Sequence, residues 1–321
     1  MGGWRDYLRA MSSTLPPVPA ASALRPDLRR YAWLSVAAAL VTITVKTAAW
    51  MLTDSVGLLS DALESFVNLG AAFLALASVT IAARPPDEDH TFGHDKAEYL
   101  AAAVEGVLVL LAALAIAVAA SMRLLDPQMP SQPLVGTAVA GVASLVNLAV
   151  ARVLLRAGAR HRSPTLSADG HHLMADVWSS VGVLVGVALV AATGWAWLDP
   201  LLGLAVAVVI VSAGVRLVFG AAGGLMDRAF EAADLATVEA VLDRHRAGGL
   251  DFHAVRTRQA GARRFMSVHV LVPPDWTVTR GHDEVETIEA DLRAALPGLS
   301  VLTHLEPLGD PSADDDIDLD R

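Results

Sequence analysis

The sequence predicts a bundle of six transmembrane helices followed by a small α+β domain, and three observations predict it. The chain of 321 residues is 54% hydrophobic and only 18% charged, whereas a soluble domain usually carries about 25% charged residues. Six apolar stretches reach the roughly 20 residues that a membrane-spanning helix needs. After Gly223-Gly224 the long apolar pattern stops and shorter mixed elements take over.

The spans fall at 31–52, 56–83, 97–122, 134–155, 172–192 and 200–219. The connections near Asp54, near Asp126 and over 194–199 are short, and those over 84–96 and 156–170 are longer. One side collects Arg25, Arg29, Arg30, Arg84, Lys96, Arg152, Arg156, Arg160, Arg162, Arg216 and Arg228, and the other has little beyond Arg123. Positive charge marks the cytoplasmic side, so both termini are expected in the cytoplasm of a multi-pass protein of the cell membrane.

Residues 1–24 carry Arg5, Arg9 and Pro16, Pro17 and Pro19 without a continuous apolar core, unlike a signal peptide. Asp6 stands where a myristoylation signal needs Ser or Thr. This stretch reads as a flexible cytoplasmic extension, with the first span inserting uncleaved. The transmembrane domain then covers 25–222, the soluble domain 223–308, and an acidic tail 309–321 with six aspartates between Asp310 and Asp320. Such blocks of like charge are usually solvated tails.

Within the soluble domain an amphipathic helix is expected over 231–246 and two strands over 251–259 and 264–272, turning at Gly261. A second helix over 281–296 stops at Pro297-Gly298, and a third strand covers 299–305. The order α-β-β-α-β suggests helices laid on one face of an antiparallel sheet.

With no cysteine, any metal must be held by His, Asp and Glu, and there are ten histidines. Glu64 and Asn68 in the second span are four residues apart, as are His172 and Asp176 in the fifth, so each pair shares a helix face. Facing each other, they present four N/O donors, a set that suits a tetrahedral divalent ion. Ionisable groups at this depth are costly and functional by default; the bland alternative is a polar network that packs the bundle. Asp61 reads as an outer partner of that site or an interhelical hydrogen-bond partner. Lys46 is a lone charge in the first span, which either snorkels or pairs with an acid such as Glu105. Asp87, His90 and His94 form a compact ligand set in the loop 84–96, against the alternative of ordinary surface histidines. In the soluble domain His253, His269, His282, His304 and Glu306 fit a two-ion site, against the alternative of scattered surface histidines; His304 and Glu306 share one face of a strand.

Together these residues resemble the cation diffusion facilitator family, in its bacterial iron/zinc exporter branch. The resemblance runs from Tyr31 to Pro307. It rests on Leu-Leu-Ser-Asp-Ala at 58–62, Asp-Glu-Asp-His-Thr-Phe-Gly-His-Asp-Lys-Ala-Glu at 87–98, His172-x-x-x-Asp176, Arg-Thr-Arg-Gln at 256–259 followed by Arg264-Phe, and His304-Leu-Glu306. It implies a metallochaperone-like (ferredoxin-like) cytoplasmic domain, a homodimer, and metal/proton antiport. It places Glu64, Asn68, His172 and Asp176 on the transport site, and Asp87, His90 and His94 on the loop site. His253, His269, His282, His304 and Glu306 fall on the cytoplasmic two-metal site, and Lys96 and Asp227 on a charge interlock at the dimer interface. Where family zinc exporters commonly carry two aspartates, or a histidine and an aspartate, this chain has Glu64 and Asn68; Glu306 stands where aspartate is usual.

The expected function is export of Zn(II), or of Fe(II), Mn(II), Co(II), Ni(II) or Cd(II), by alternating access, with protons as counter-substrate. A passive divalent-cation channel and a membrane-bound metal sensor are the alternatives. An intramembrane metalloenzyme needs an open coordination position and a further base, which the sequence does not offer, so no enzymatic activity is expected, and no nucleic-acid partner.

Overall fold

The computed structural model describes residues 27–53, 56–125, 133–195 and 197–314. The side chains at 52–64 are not among those described. Six long helices are described first: α1 (Arg29–Thr53), α2 (Val56–Ala82), α3 (Ala97–Leu125), α4 (Pro133–His161), α5 (Pro164–Thr193) and α6 (Leu198–Leu225). The chain continues as α7 (Ala232–Arg246), β1 (Asp251–Ala260), β2 (Arg263–Val272), α8 (Val278–Ala295) and β3 (Leu299–Pro307).

Among the described residues, four helical segments are long and apolar enough to cross a membrane: Arg29–Met51, Ala97–Leu125, Gly141–His161 and Pro200–Leu225. The apolar stretch Asn68–Ala82 is shorter. Their outward faces carry large apolar side chains, with Leu111, Leu114, Leu145, Val208 and Phe219 all more than half exposed. A surface this apolar is unstable in water and stable against lipid tails. The inward faces use small residues to bring helices close. A Cβ at Gly158 of α4 would overlap Ser167 of α5, and one at Gly170 of α5 would meet Leu155 of α4. One buried cluster, including Ala38, Val79, Val150, Leu154, Leu166 and Leu173, joins α1, α2, α4 and α5. A second, Val109, Ala113, Ala175 and Ile210, joins α3, α5 and α6.

The structure corrects two expectations here. The stretch 156–170 is not a loop: α4 runs on to His161 and α5 starts at Pro164. Only a sharp corner separates them, with Arg162 at φ 51°, the Ser163 hydroxyl accepting from Leu166 N, and proline at the first helical position, where its missing N–H costs nothing. Ser, Asp and Gly in this stretch look loop-like in isolation, but the tight α4–α5 crossing overrides their propensity. The sheet is mixed, not antiparallel. β1 pairs antiparallel with β2, but β2 pairs parallel with β3, His269 lying opposite His304. The reason is that α8 carries the chain back before β3 begins, and a helical crossover delivers a parallel neighbour.

The soluble domain packs α7 and α8 on one face of the sheet. Val238, Val241 and Leu242 of α7 and Val285, Ile288 and Leu292 of α8 meet Met266, Val268 and Val270 of β2. Thr277 caps α8 by accepting from Arg280 N, an interaction that satisfies one orphan donor of the first turn.

Several polar links tie the two domains. Lys96 Nζ lies 3.0 Å from Asp227 Oδ1 and also donates to Leu225 O at the end of α6. Arg263 pairs with the buried Asp95 at 3.2 Å. The Tyr99 hydroxyl of α3 accepts from Gly261 N at the β1–β2 turn. Arg162, at the α4–α5 corner, reaches Asp234 of α7 at 3.1 Å. That carboxylate also holds Arg264 through Nε at 2.9 Å and Nη2 at 3.1 Å.

Candidate metal centres

The first centre lies between α2, α4 and α5. Asn68 sits on α2; His172 and Asp176 are one turn apart on α5, as their spacing requires. His172 Nε2 is 3.0 Å from Asn68 Oδ1. Asn68 Nδ2 donates to Asp176 Oδ2 at 2.6 Å. A carboxylate only accepts, so the Asn68 amide must aim its nitrogen at Asp176 and its oxygen at His172. His172 therefore carries its hydrogen on Nε2 in this geometry. A second amide joins from α4: Asn147 Nδ2 lies 3.3 Å from the same Asp176 oxygen. Asn68, Asn147 and His172 are all buried, so three helices converge on one carboxylate.

Sequence reasoning missed Asn147. Its only signal is an amide inside a largely apolar span, without a second ionisable residue one turn away. Glu64 belongs to α2, but its side chain and that of Asp61 lie outside the described residues. His171 faces away and turns its Nδ1 to Ser167 O at 2.6 Å.

The second centre is the loop before α3. Asp87 Oδ2 lies 3.2 Å from His94 Nε2 and Asp87 Oδ1 3.4 Å from His90 Nδ1. The two imidazoles stand 4.5 Å apart between centroids. His90 N donates to Asp87 Oδ1 at 2.7 Å. That bond, aided by the two histidines, holds the Asp87 carboxyl below its usual range. Asp87 is thus ionised at neutral pH.

The third centre lies in the soluble domain. Glu306 is buried and forms its hub: Oε2 lies 2.8 Å from His253 Nε2, and Oε1 lies 2.9 Å from His269 Nδ1 and 3.4 Å from His304 Nε2. One ligand atom from each of His253, His269 and Glu306 falls within 4.8 Å of the others. His253 arrives there through an irregularity absent from the sequence pattern. Between His253 and Arg256 the register slips by one residue, and Ala254 adopts φ 49°. Such a bulge re-aims the side chain beside it. His282 stands exposed on the first turns of α8 and joins none of these contacts. A further histidine, His245, bridges the two helices, 3.4 Å from Glu284 and 3.2 Å from Asp291.

At the domain joint, burial pushes the Asp227 carboxyl up, but the Lys96 ammonium and the Arg258 guanidinium outweigh it and hold the group below its usual range. Arg258 lies 3.3 Å from the oxygen that Lys96 contacts.

Comparison with known proteins gives two profile matches. The cation efflux transmembrane domain matches residues 32–226, and the cytoplasmic domain of cation efflux proteins matches residues 231–308. An uncharacterized transporter of Synechocystis sp. is 47% identical over 285 residues, covering 89% of this chain and 92% of the relative. The cation-efflux pump FieF of Serratia proteamaculans is 31% identical over 273 residues, 85% of this chain and 90% of the relative. That of Pectobacterium atrosepticum is 30% identical over 277 residues, 85% and 91% respectively.

Proposed function

The chain belongs to the cation diffusion facilitator family of cation efflux transporters, whose members are transporters and not enzymes, and on that premise we propose that it exports a divalent transition metal from the cytoplasm in exchange for protons. The observation that carries this reading is the hydrogen-bonded set Asn68, His172 and Asp176, held between α2 and α5. Together with Glu64 of α2 they form the transport site. The metal is substrate here. Zn(II) is the first candidate, with Fe(II), Mn(II), Co(II), Ni(II) and Cd(II) behind it, because affinities follow the Irving–Williams order more than the ligand set.

The proton coupling follows from the ligands. Metal takes Nε2 of a neutral His172, whose hydrogen then sits on Nδ1, so binding releases a proton where the imidazole or the carboxyls of Asp176 and Glu64 carried an extra one beforehand. An ordinary histidine titrates near pH 6.5, so reprotonation on the far side opposes metal binding and helps to expel the ion. Alternating access carries the loaded site from one face to the other. The protein works as a homodimer of six-span protomers with both termini cytoplasmic. Support for the dimer comes from the sheet face away from α7 and α8, where Val255 and Leu302 stand exposed. The loop and soluble-domain centres take metal from the cytoplasm, His282 completing the latter as a more distant ligand, and Lys96 and Asp227 lock the joint between them.

Reconstituted protein in sealed vesicles with a lumenal pH indicator tests the reading. One metal of the series should enter while protons leave. Entry without proton movement would favour a passive channel, and binding without entry a sensor.

Two further outcomes are expected. Asn147→Leu should leave the fold intact and weaken metal binding at the transport site by about 10–100-fold, the usual effect of removing a partner that orients a ligand; titration calorimetry reads it. At the loop centre, the pH profile of metal affinity should show no ordinary carboxylate step near about 4, because the Asp87 carboxyl is held below its usual range. Metal titration across pH, followed through the imidazole resonances of His90 and His94 in NMR, reads the profile.

A further inference from the structure

Glu105 of α3 and Asp169 of α5 are fully enclosed, at 0% and 1% exposure. Both oxygens of Glu105 and Oδ2 of Asp169 are buried without a hydrogen-bond partner. Only Asp169 Oδ1 is served, by the Ser35 hydroxyl of α1 at 3.0 Å. Lys46, a possible counter-ion for Glu105 on sequence grounds, donates no hydrogen bond to it. α3 packs against α2, α5 and α6, and α5 against α1, α2, α4 and α6. The two acids lie where α3 and α5 meet: Ala102 of α3 and Ala168 of α5 share a buried cluster with Ala221 of α6, three residues from Glu105 and one from Asp169.

An isolated carboxylate without hydrogen bonds is too costly in such a place, and two neighbouring carboxylates cannot both stay ionised there. Something positive must accompany the pair. A metal does not fit: among the described residues no third His, Asp or Glu gathers with them. A proton does. Asp169 lies three residues from His172 on the same helix, about 4.5 Å along the axis, and on the side of the soluble domain.

We infer that Glu105 and Asp169 form a buried acid pair holding an exchangeable proton one helical turn from the metal position, a proton site separate from the metal ligands. The inference rests on the antiport reading and deepens it. When a divalent ion arrives at His172 and Asp176, its field opposes the proton on the pair. The carboxyl O–H breaks, the proton passes to water on the soluble-domain side as hydronium, and a carboxylate remains. When the metal has left to the opposite side, hydronium that enters the emptied metal position reprotonates the pair. The pair thus adds to the proton released from His172.

The test measures protons released per Zn(II) bound in weak buffer, and pH-driven Zn(II) accumulation in vesicles, for the whole protein and for Glu105→Gln and Asp169→Asn. Both variants should bind Zn(II) and exchange it down its gradient. Both should release about one proton fewer per metal and lose most of the pH-driven accumulation. Where Glu105→Gln does not reach the folded fraction, Asp169→Asn carries the test, together with the infrared carbonyl band of a protonated carboxyl in the wild type, which should vanish on adding Zn(II). Unchanged proton counts and pH profiles in the variants overturn the pair alone. Loss of Zn(II) binding in both variants makes the pair structural and also overturns it. A wild type that moves metal without protons overturns the antiport reading and the pair with it.

Discussion

Asp176→Asn is expected to abolish metal transport while leaving the protein folded. The asparagine has the same shape, and its oxygen can still accept from Asn68, whose amide lies 2.6 Å away in the wild type. What it lacks is charge. A divalent ion in a low-dielectric interior needs carboxylates to offset its own field, and among the described side chains Asp176 is the carboxylate on which α2, α4 and α5 converge. Altering a group that merely orients a ligand already costs about 10–100-fold in affinity, so the loss here should exceed about 100-fold. Uptake of metal into vesicles and calorimetric binding read the effect, and a monodisperse elution profile shows that folding survived. Retained transport in the folded variant would remove Asp176 from the site.

The second large effect is expected far from any metal. Asp234→Ala strips the carboxylate that holds the buried guanidinium of Arg264 by two hydrogen bonds, at 2.9 and 3.1 Å. Arg264 is only 7% exposed, and its remaining described bond, from Nη1 to Pro297 O at 3.0 Å, does not neutralise it. Breaking a buried pair from one side typically costs about 3–5 kcal/mol, because the orphaned charge stays behind. A 3 kcal/mol loss is about 100-fold in an opening equilibrium. Hydrogen exchange of the β2 amides, which report the most stable part of the soluble domain, should accelerate by at least that factor. The same change frees Arg162, so protection at the start of α5 should fall as well. Replacing Arg162 instead should loosen the corner but spare β2, since Arg162 is partly exposed and surface pairs contribute about 0–1 kcal/mol.

What the chain shows before folding follows the range of each signal. The His172–Asp176 spacing marks a helix face by itself, and Asn68 was legible because Glu64 repeats the same interval on α2. Asp87, His90 and His94 are close in sequence and meet in the structure for that reason. Asn147 was not legible, because its role comes from α4 crossing α5, and a crossing leaves no local period. Asp234 was hidden likewise: an acid in a helix's first turn is an ordinary dipole partner, and nothing local shows that two arginines from distant segments close on it. The start of α5 was misjudged because a polar run reads as loop until its packing against Gly158 is known. The parallel pairing of β3 was missed because pairing direction depends on the connection, and the α8 crossover was read as a covering helix. The hub at Glu306 was legible as alternation along β3, but the bulge that turns His253 toward it was not.

The hairpin β1–β2 has a consequence beyond the domain it belongs to. Its far end carries His253 and His269, and its near end rests on α3, where the Tyr99 hydroxyl meets Gly261 N and Arg263 grips Asp95. About seven residues separate the two ends, or roughly 24 Å of extended chain. It is a lever whose short contact bears on the helix that follows the loop centre. A tilt of this arm by about 5° over that length displaces its tip by about 2 Å, the scale on which packed helices shift between states. Stiffness in the arm, more than affinity at its end, then sets how much of the motion arrives at α3.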